Sequence, residues 1–199
     1  MPSATRWAGV SAADRQAERR ALLISAAFAL FGDGGEAAVS VRSVCRAAEL
    51  NTRYFYESFA DTDALLGAVY DDVAGELAGI LTTAMASARD GRSRLQAGIR
   101  AVLEFSSADP PRRGRILFTE ARSNPVLAAR RTLAQDHVRE LVLDEHRRTA
   151  PESDRVATEV GAAMYAGAMA ELAQQWLAGT LGDDVDVVVA HAVRLLLPN

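Results

Sequence analysis

The sequence predicts an all-α fold of about nine helices. Apolar residues recur at steps of three and four along almost the whole chain, which is the period of one helix face. Segments rich in glycine, proline and aspartate, such as GDGG, ADPPRRG and APESD, interrupt these stretches and mark helix ends. No segment alternates between apolar and polar residues as a half-buried strand does. The 199 residues suffice for one compact core or two small ones.

Composition narrows the class of protein. Hydrophobic residues make up 49% of the chain and charged residues 24%, which is typical of globular proteins. The run at 21–31 is much shorter than the roughly 20 residues of a membrane-spanning helix, and no export signal precedes it, so we expect a cytoplasmic protein without a membrane partner. The net charge is −4, but residues 1–60 are slightly basic and the remainder acidic. Any site for a polyanion should therefore lie in the first third.

Capping residues predict the first four helices. SAAD at 11–14 resembles a capping box, and GDGG ends the helix that follows, because glycine tolerates the positive φ of a helix end. Ser40 and Asn51 are predicted to cap two short helices, and Asp61 a long fourth one. Beyond about residue 81, breaks at 90–91, 108–114, 123–125, 150–154 and 179–184 separate longer helices.

The segment LNTRYFYESF, residues 50–59, holds four of the twelve aromatic residues. On a helix, Phe55 and Phe59 share one side and Arg53 lies nearly opposite, with Tyr54 and Tyr56 on the flanks. The segment thus forms a short helix that two aromatic residues anchor, and it follows another short helix and a tight turn. This arrangement has helix-turn-helix geometry and suits the major groove of DNA. The alternative is that the tyrosines only cover a small hydrophobic core.

Residues 19–70 resemble the N-terminal DNA-binding domain of tetracycline-repressor (TetR) family regulators. The resemblance rests on the register, without gaps, of Leu30, Phe31, Gly35, Ser40, Val44, Ala48, Leu50, Phe55, Tyr56, Phe59 and Leu65. It implies a three-helix helix-turn-helix domain at 1–60 and a helical ligand-binding and dimerisation domain at 61–199. The implied partners are a double-stranded DNA operator, an unknown small-molecule effector and a second copy of the chain.

The resemblance assigns 40–58 to the helix-turn-helix and 51–58 to its recognition segment, with Tyr56 holding a phosphate. The implied DNA-binding residues are Ser40, Arg42, Asn51, Thr52, Arg53, Tyr54, Tyr56 and Ser58. Four positions depart from the family pattern: Glu49 replaces the turn glycine, Glu36 an aromatic residue, Ser58 a histidine and Thr62 a lysine. Glu49 would then occupy left-handed backbone space, or the turn would differ slightly. Glu49 and the missing lysine together predict weaker electrostatic affinity for DNA.

The last two helices predict a subunit interface. Val185, Val188, Val189, Ala192, Val193 and Leu196 form an apolar stripe on the last helix. The preceding helix is apolar or small nearly all round, and Gly161 and Gly167 would allow close approach of another helix. We therefore expect a two-fold four-helix interface in a homodimer. The alternative is that both helices are core of a single chain.

The residues predicted to line a ligand pocket are Phe105, Phe118, Glu120, His137, Met164, Tyr165, Met169 and Trp176. Aromatic and methionine side chains line apolar ligand sites, but they equally fill ordinary cores. His137 lies on a stripe with Leu133 and Leu141, where a buried structural histidine is the alternative. Glu120 is expected either to contact ligand or to pair with Arg122.

Catalytic and metal-binding constellations are not evident in the sequence, so we expect neither an enzyme nor a cofactor or metal ion. The favoured hypothesis is a repressor that leaves a near-palindromic operator when a small molecule binds. Two alternatives stay open: a dimeric DNA-binding protein without small-molecule control, and a helical ligand-binding protein whose helix-turn-helix has degenerated.

Overall fold

Helices form the described part of the chain, which in the computed structural model comprises residues 11–108, 110–120, 124–149 and 154–197. No strand occurs within these ranges, and the predicted all-α fold is confirmed. The helices are α1 Ala12–Gly34, α2 Val41–Ala47, α3 Thr52–Ser58, α4 Thr62–Ala86, α5 Gly91–Ser107, α6 Arg112–Gly114, α7 Pro125–Thr149, α8 Arg155–Leu177 and α9 Val185–Leu196. A 3₁₀ turn spans Glu36–Ala38, and a π-helical segment, Arg115–Thr119, follows α6.

The predicted caps are present at the first four helices. Ser11 and Asp14 form a capping box at α1, and the side chain of Ser40 accepts a hydrogen bond from the backbone of Ser43 at α2. Asn51 accepts from the backbone of Arg53 at 2.9 Å. Asp61 accepts from the backbone of Ala64 at 2.7 Å. Each cap satisfies backbone N–H groups that the first turn of a helix leaves without partners, so these residues determine where the helices begin.

Two compact units divide the chain between Val69 and Tyr70, within α4. In the first unit, α1, α2 and α3 pack on one another. Their fully buried side chains are apolar, namely Leu23, Ala27, Phe31, Val44 and Phe55. The turn between α2 and α3 contains Glu49 at φ 54°, so the predicted left-handed residue without glycine is confirmed.

The core of the second unit lies where α5 packs against α8 and α9. Its buried members are Ile99, Val102, Leu103, Met169, Ala173, Val188, Val189 and Val193. Helix α7 packs along α8. None of the helices in the described ranges combines the length and apolar character that crossing a bilayer demands.

Arg131 of α7 holds the end of the π-helical segment. Its guanidinium donates to the carbonyl oxygen of Leu117 at 3.2 Å and to that of Glu120, and it lies 5.9 Å from the ring centroid of Tyr70. Burial raises the pKa of Tyr70, and the positive charge of Arg131 opposes that rise. One arginine thus donates to two carbonyl groups at the end of this irregular helix.

Candidate nucleic-acid interface

Helix α3 is anchored by two aromatic side chains, as predicted. Phe55 is fully buried and Phe59 nearly so, and their ring centroids lie 6.0 Å apart. Tyr56 meets the Phe55 ring edge to face, with centroids 5.4 Å apart. The rings fix the inner side of the helix in the first unit, so its outer side keeps a defined orientation.

The outer side of α3 is exposed at Thr52, Arg53 and Tyr56. Tyr56 has 63% of its surface exposed, so the alternative that it covers a core does not apply to this tyrosine. Tyr54 is half-buried, and the guanidinium of Arg19 lies 4.5 Å from its ring centroid. Of the two flanking tyrosines, Tyr56 is therefore the one whose hydroxyl is open to a phosphate.

Three predicted DNA-binding residues have side-chain oxygens that are either hydrogen-bonded or buried within the first unit. Ser40 and Asn51 cap helices, although both are exposed. The hydroxyl of Ser58 is buried and has no hydrogen-bond partner among the described residues. A buried hydroxyl cannot meet a phosphate, so the prediction that Ser58 contacts DNA is corrected. Arg42 at the start of α2 is exposed.

Glu57 joins α3 to α1 through a network that spacing alone does not reveal. Its Oε1 accepts a hydrogen bond from Arg53 Nε at 3.0 Å, and its Oε2 lies 3.5 Å from Arg19 Nη2. The side chain of Gln16 donates to the backbone carbonyl of Glu57 at 3.3 Å. The step of four between Arg53 and Glu57 is a local signal for an ion pair on a helix. The contacts with α1 leave no local signal, because they join residues far apart in the chain.

In the second unit, the predicted pocket residues separate into buried and exposed groups. Met169 lies in the core, and Phe118, Tyr165 and Trp176 pack against it partly buried. Phe105 is buried, with the guanidinium of Arg113 5.6 Å from its ring centroid.

Tyr165 and Trp176 each have a buried polar group. Burial raises the pKa of the Tyr165 hydroxyl, because the phenolate would lose its hydration. The indole Nε1 of Trp176 is buried without a partner among the described residues.

Two of the predicted pocket residues are not inward-facing in the chain. Met164 has 66% of its surface exposed, and His137 is exposed together with its stripe neighbours Leu133 and Leu141. The periodicity correctly placed the stripe on one side of α7, but that side faces away from α8 and the core. The expectation of inner positions for Met164 and His137 is therefore wrong.

Glu120 forms an ion pair with Arg115. Its carboxylate accepts from Arg115 Nε at 3.1 Å and from Nη2 at 2.5 Å. Arg122, the partner expected from the sequence, lies outside the described residues. No group of three or more metal-ligating side chains occurs in the ranges that the structure describes.

The predicted interface stripe on α9 lies in the core of its own chain. Val188, Val189 and Val193 are buried against α5 and α8, and Val185, Ala192 and Leu196 pack beside them. The three buried valines are therefore core of their own chain, as the alternative held, whereas a role of this stripe in a subunit contact stays a prediction. By contrast, Gly161 and Gly167 of α8 are exposed, and a Cβ built at either would meet nothing within 4 Å.

Residues 23–69 match the family model described as bacterial regulatory proteins, tetR family. A TetR-family transcriptional regulator from Pectobacterium atrosepticum is 28% identical, with 94% of each chain covered and a TM-score of 0.68. The chain carries a DNA-binding domain of the TetR family at residues 23–69. It is accordingly a transcriptional regulator with a helix-turn-helix.

Two further solved structures resemble this chain in fold. The fatty acid degradation regulator FadR from Bacillus halodurans is 19% identical, with 91% of this chain and 95% of that one covered and a TM-score of 0.74. The transcriptional regulator FadR from Bacillus subtilis, solved in complex with stearoyl-CoA, is 14% identical, with 89% and 97% covered and a TM-score of 0.74. None of the curated proteins compared with the chain matches it.

Proposed function

We propose that this regulator is a repressor that binds a near-palindromic operator as a homodimer and leaves it when a small molecule binds the second unit. The observation that carries the proposal is the outer face of α3, which is exposed while its inner side is pinned by Phe55 and Phe59. Family membership supports DNA as the partner of that face.

The candidate DNA contacts divide by chemistry. Arg53 and Thr52 lie on the recognition helix, where side chains reach base edges in the major groove. Arg42 and Tyr56 offer a charge and a hydroxyl that suit phosphate oxygens. Ser40 and Asn51 lie at the N-termini of α2 and α3, where backbone N–H groups also attract a phosphate. Tyr54 packs its ring against the guanidinium of Arg19 and so supports α3.

The proposed subunit contact uses the faces of α8 and α9 that the chain leaves uncovered. The exposed apolar or small residues on them are Val156, Val160, Gly161, Ala163, Met164, Gly167, Val187, Ala190 and Leu195. On α8, Val156, Val160, Ala163 and Gly167 recur at steps of four and three, so they share one helix face, and an exposed apolar face is typical of protein interfaces. A two-fold axis between such faces pairs two recognition helices with two half-sites of an operator.

The proposed effector site lies among the aromatic residues of the second unit. Phe105, Phe118, Tyr165 and Trp176 supply apolar surface there. The buried indole N–H of Trp176 has no acceptor among the described residues, and a ligand oxygen would supply one. Because two neighbours in fold are FadR regulators and one was solved with stearoyl-CoA, a long-chain acyl-CoA is the first effector to test.

DNA is released because the effector has different affinities for two conformations of the regulator. An effector that binds better to a conformation unsuited to the operator shifts the population toward that conformation. By linkage, operator DNA then lowers the affinity for the effector by the same factor by which the effector lowers the affinity for the operator. This gives a second and independent measurement of the coupling.

The DNA-binding proposal is tested by selecting duplexes from a random pool with the full chain and measuring affinity as a function of salt. We expect a preferred near-palindromic site whose affinity falls steeply with salt. Arg53→Ala should lose about 1 to 3 kcal/mol on that site if Arg53 reads a base. Tyr56→Phe should weaken all sequences about equally, and Arg147→Ala on α7 is a matched arginine control.

The absence of any sequence preference at low salt would refute the DNA-binding proposal. A helical binding protein with a degenerate helix-turn-helix would then be the better description.

The effector proposal is tested by tryptophan fluorescence in a Trp7→Phe background, where Trp176 is the single remaining tryptophan. We expect stearoyl-CoA to change the Trp176 emission and to release operator DNA, whereas coenzyme A alone should do neither. If acyl-CoA and chemically unrelated apolar compounds leave operator affinity unchanged, the chain is a DNA-binding protein without small-molecule control.

A further inference from the structure

We propose that Glu57 is a positioning residue that orients Arg53 to read guanine in the operator. It does so by holding the Nε atom of Arg53 and leaving the two terminal nitrogens to the base. The inference rests on the proposed DNA-binding function and adds a specific base and a specific residue to it.

Arg53 is exposed, yet it is held at one defined atom. Its side chain has 83% of its surface exposed, and its hydrogen bond to Glu57 is made through Nε. Among the described residues, Nη1 and Nη2 of Arg53 have no partner. The guanidinium is therefore fixed along the edge that faces Glu57, while its far end presents two parallel N–H donors.

Glu57 is itself fixed from α1, so it is a firmer support than an isolated surface partner. Its second carboxylate oxygen faces Arg19, whose side chain is only 19% exposed and lies against the Tyr54 ring. Gln16 binds the backbone of Glu57 from the same helix. An isolated exposed pair of arginine and glutamate contributes little order, but a network anchored to a second helix restricts both partners.

The geometry favours a guanine edge over a phosphate. Guanine presents two acceptors, N7 and O6, in the major groove, and they match the two donors at the end of an arginine fork. The carboxylate of Glu57 offsets the charge of Arg53 and so reduces its attraction to a phosphate anion. It leaves the directional hydrogen bonds to an uncharged base edge intact.

The test compares Glu57→Gln with the wild-type full chain by selection from random duplexes and by competition between operators that differ at one base pair. Wild type should prefer guanine at one position in each half-site, by roughly 5- to 100-fold over other bases. Arg53→Ala and Arg53→Lys should both abolish that preference, because lysine keeps the charge but lacks the fork.

Glu57→Gln should reduce the guanine preference at the same position to within about threefold of the other bases, while preferences elsewhere in the site persist. Glu104→Gln is the matched control, because Glu104 pairs with Arg100 at the same spacing on α5 and the change adds the same charge. It should leave the guanine preference unaltered. Thermal unfolding shows whether Glu57→Gln is folded; if it is not, Glu57→Asp replaces it, because aspartate keeps the charge but withdraws the carboxylate from Arg53.

Each outcome bears on a different claim. A guanine preference that survives in the folded Glu57 variant overturns the positioning role. A preference that survives Arg53→Ala overturns the assignment of guanine to Arg53, while the regulator still reads DNA through other residues. The lack of any duplex preference in wild type refutes the proposed function itself.

Discussion

Gly114 lies directly against the backbone carbonyl group of Ser106. A Cβ built at Gly114 would meet the Ser106 oxygen well inside van der Waals distance and would lie 2.9 Å from Cδ2 of Leu177. Ser106 is fully buried, and its hydroxyl donates to the carbonyl of Val102 at 2.6 Å. The start of the π-helical segment is thus seated on α5 at a point where no side chain fits.

We expect Gly114→Ala to destabilise the chain by at least about 2 kcal/mol, because backbone and not a flexible side chain has to move. Gly79→Ala in α4 is the matched control, since a Cβ there meets nothing within 4 Å, and it should stabilise by up to about 1 kcal/mol. Urea unfolding of the two variants measures both effects. Equal stability of the two variants would contradict the close approach at Gly114.

Glu49 occupies left-handed backbone space with φ 54°, where a Cβ is unfavourable. Glu49→Gly should raise the free energy of unfolding by about 0.5 to 1 kcal/mol, after allowing for the greater freedom of glycine in the unfolded chain. Glu49→Ala keeps the Cβ and should bring no comparable gain. Calorimetry distinguishes the two, and a gain in the alanine variant would assign the effect to the lost charge instead.

Tyr165 should make stability fall at alkaline pH. Burial raises the pKa of its hydroxyl in the folded chain, so the unfolded chain loses the proton first. The contribution of neutral Tyr165 is fully present below its unfolded pKa and is lost as pH rises through its folded pKa. Tyr165→Phe should therefore lose less stability than wild type above about pH 10. Identical losses in urea unfolding at neutral and alkaline pH would show that Tyr165 does not contribute.

Leu195 on α9 has 80% of its surface exposed and lies on the proposed subunit contact. Leu195→Gln should weaken dimerisation, because it places an amide in an apolar interface, and should leave the fold of the single chain intact. Leu133→Gln on α7 changes another exposed leucine away from that contact and should not affect the dimer. Sedimentation velocity over a range of concentrations measures both, and the reverse result would move the interface to α7.

Local chemistry explains what the sequence could predict. The caps at Ser40, Asn51 and Asp61 depend on atoms within three residues, so their residue types alone indicated where helices begin. The anchoring of α3 by Phe55 and Phe59 followed in the same way from one helical turn.

Predictions from periodicity failed where they depended on which part of the structure packs over a helix face. The period of α9 identified which valines share a side, but not that α5 rather than a second subunit covers them. On α7, Leu133 and His137 share a side that is exposed within the part of the chain that the structure describes. Periodicity defines a face, and only the tertiary arrangement decides what packs on it.

The carboxylate that bridges Arg19 and Arg53 also bears on how such a regulator diverges. A single nucleotide change converts a glutamate codon into a glutamine codon, and at position 57 it would alter operator choice without altering any residue that touches a base. Duplicated copies of the gene would then differ in how strictly they require guanine while their DNA-contacting residues stay identical.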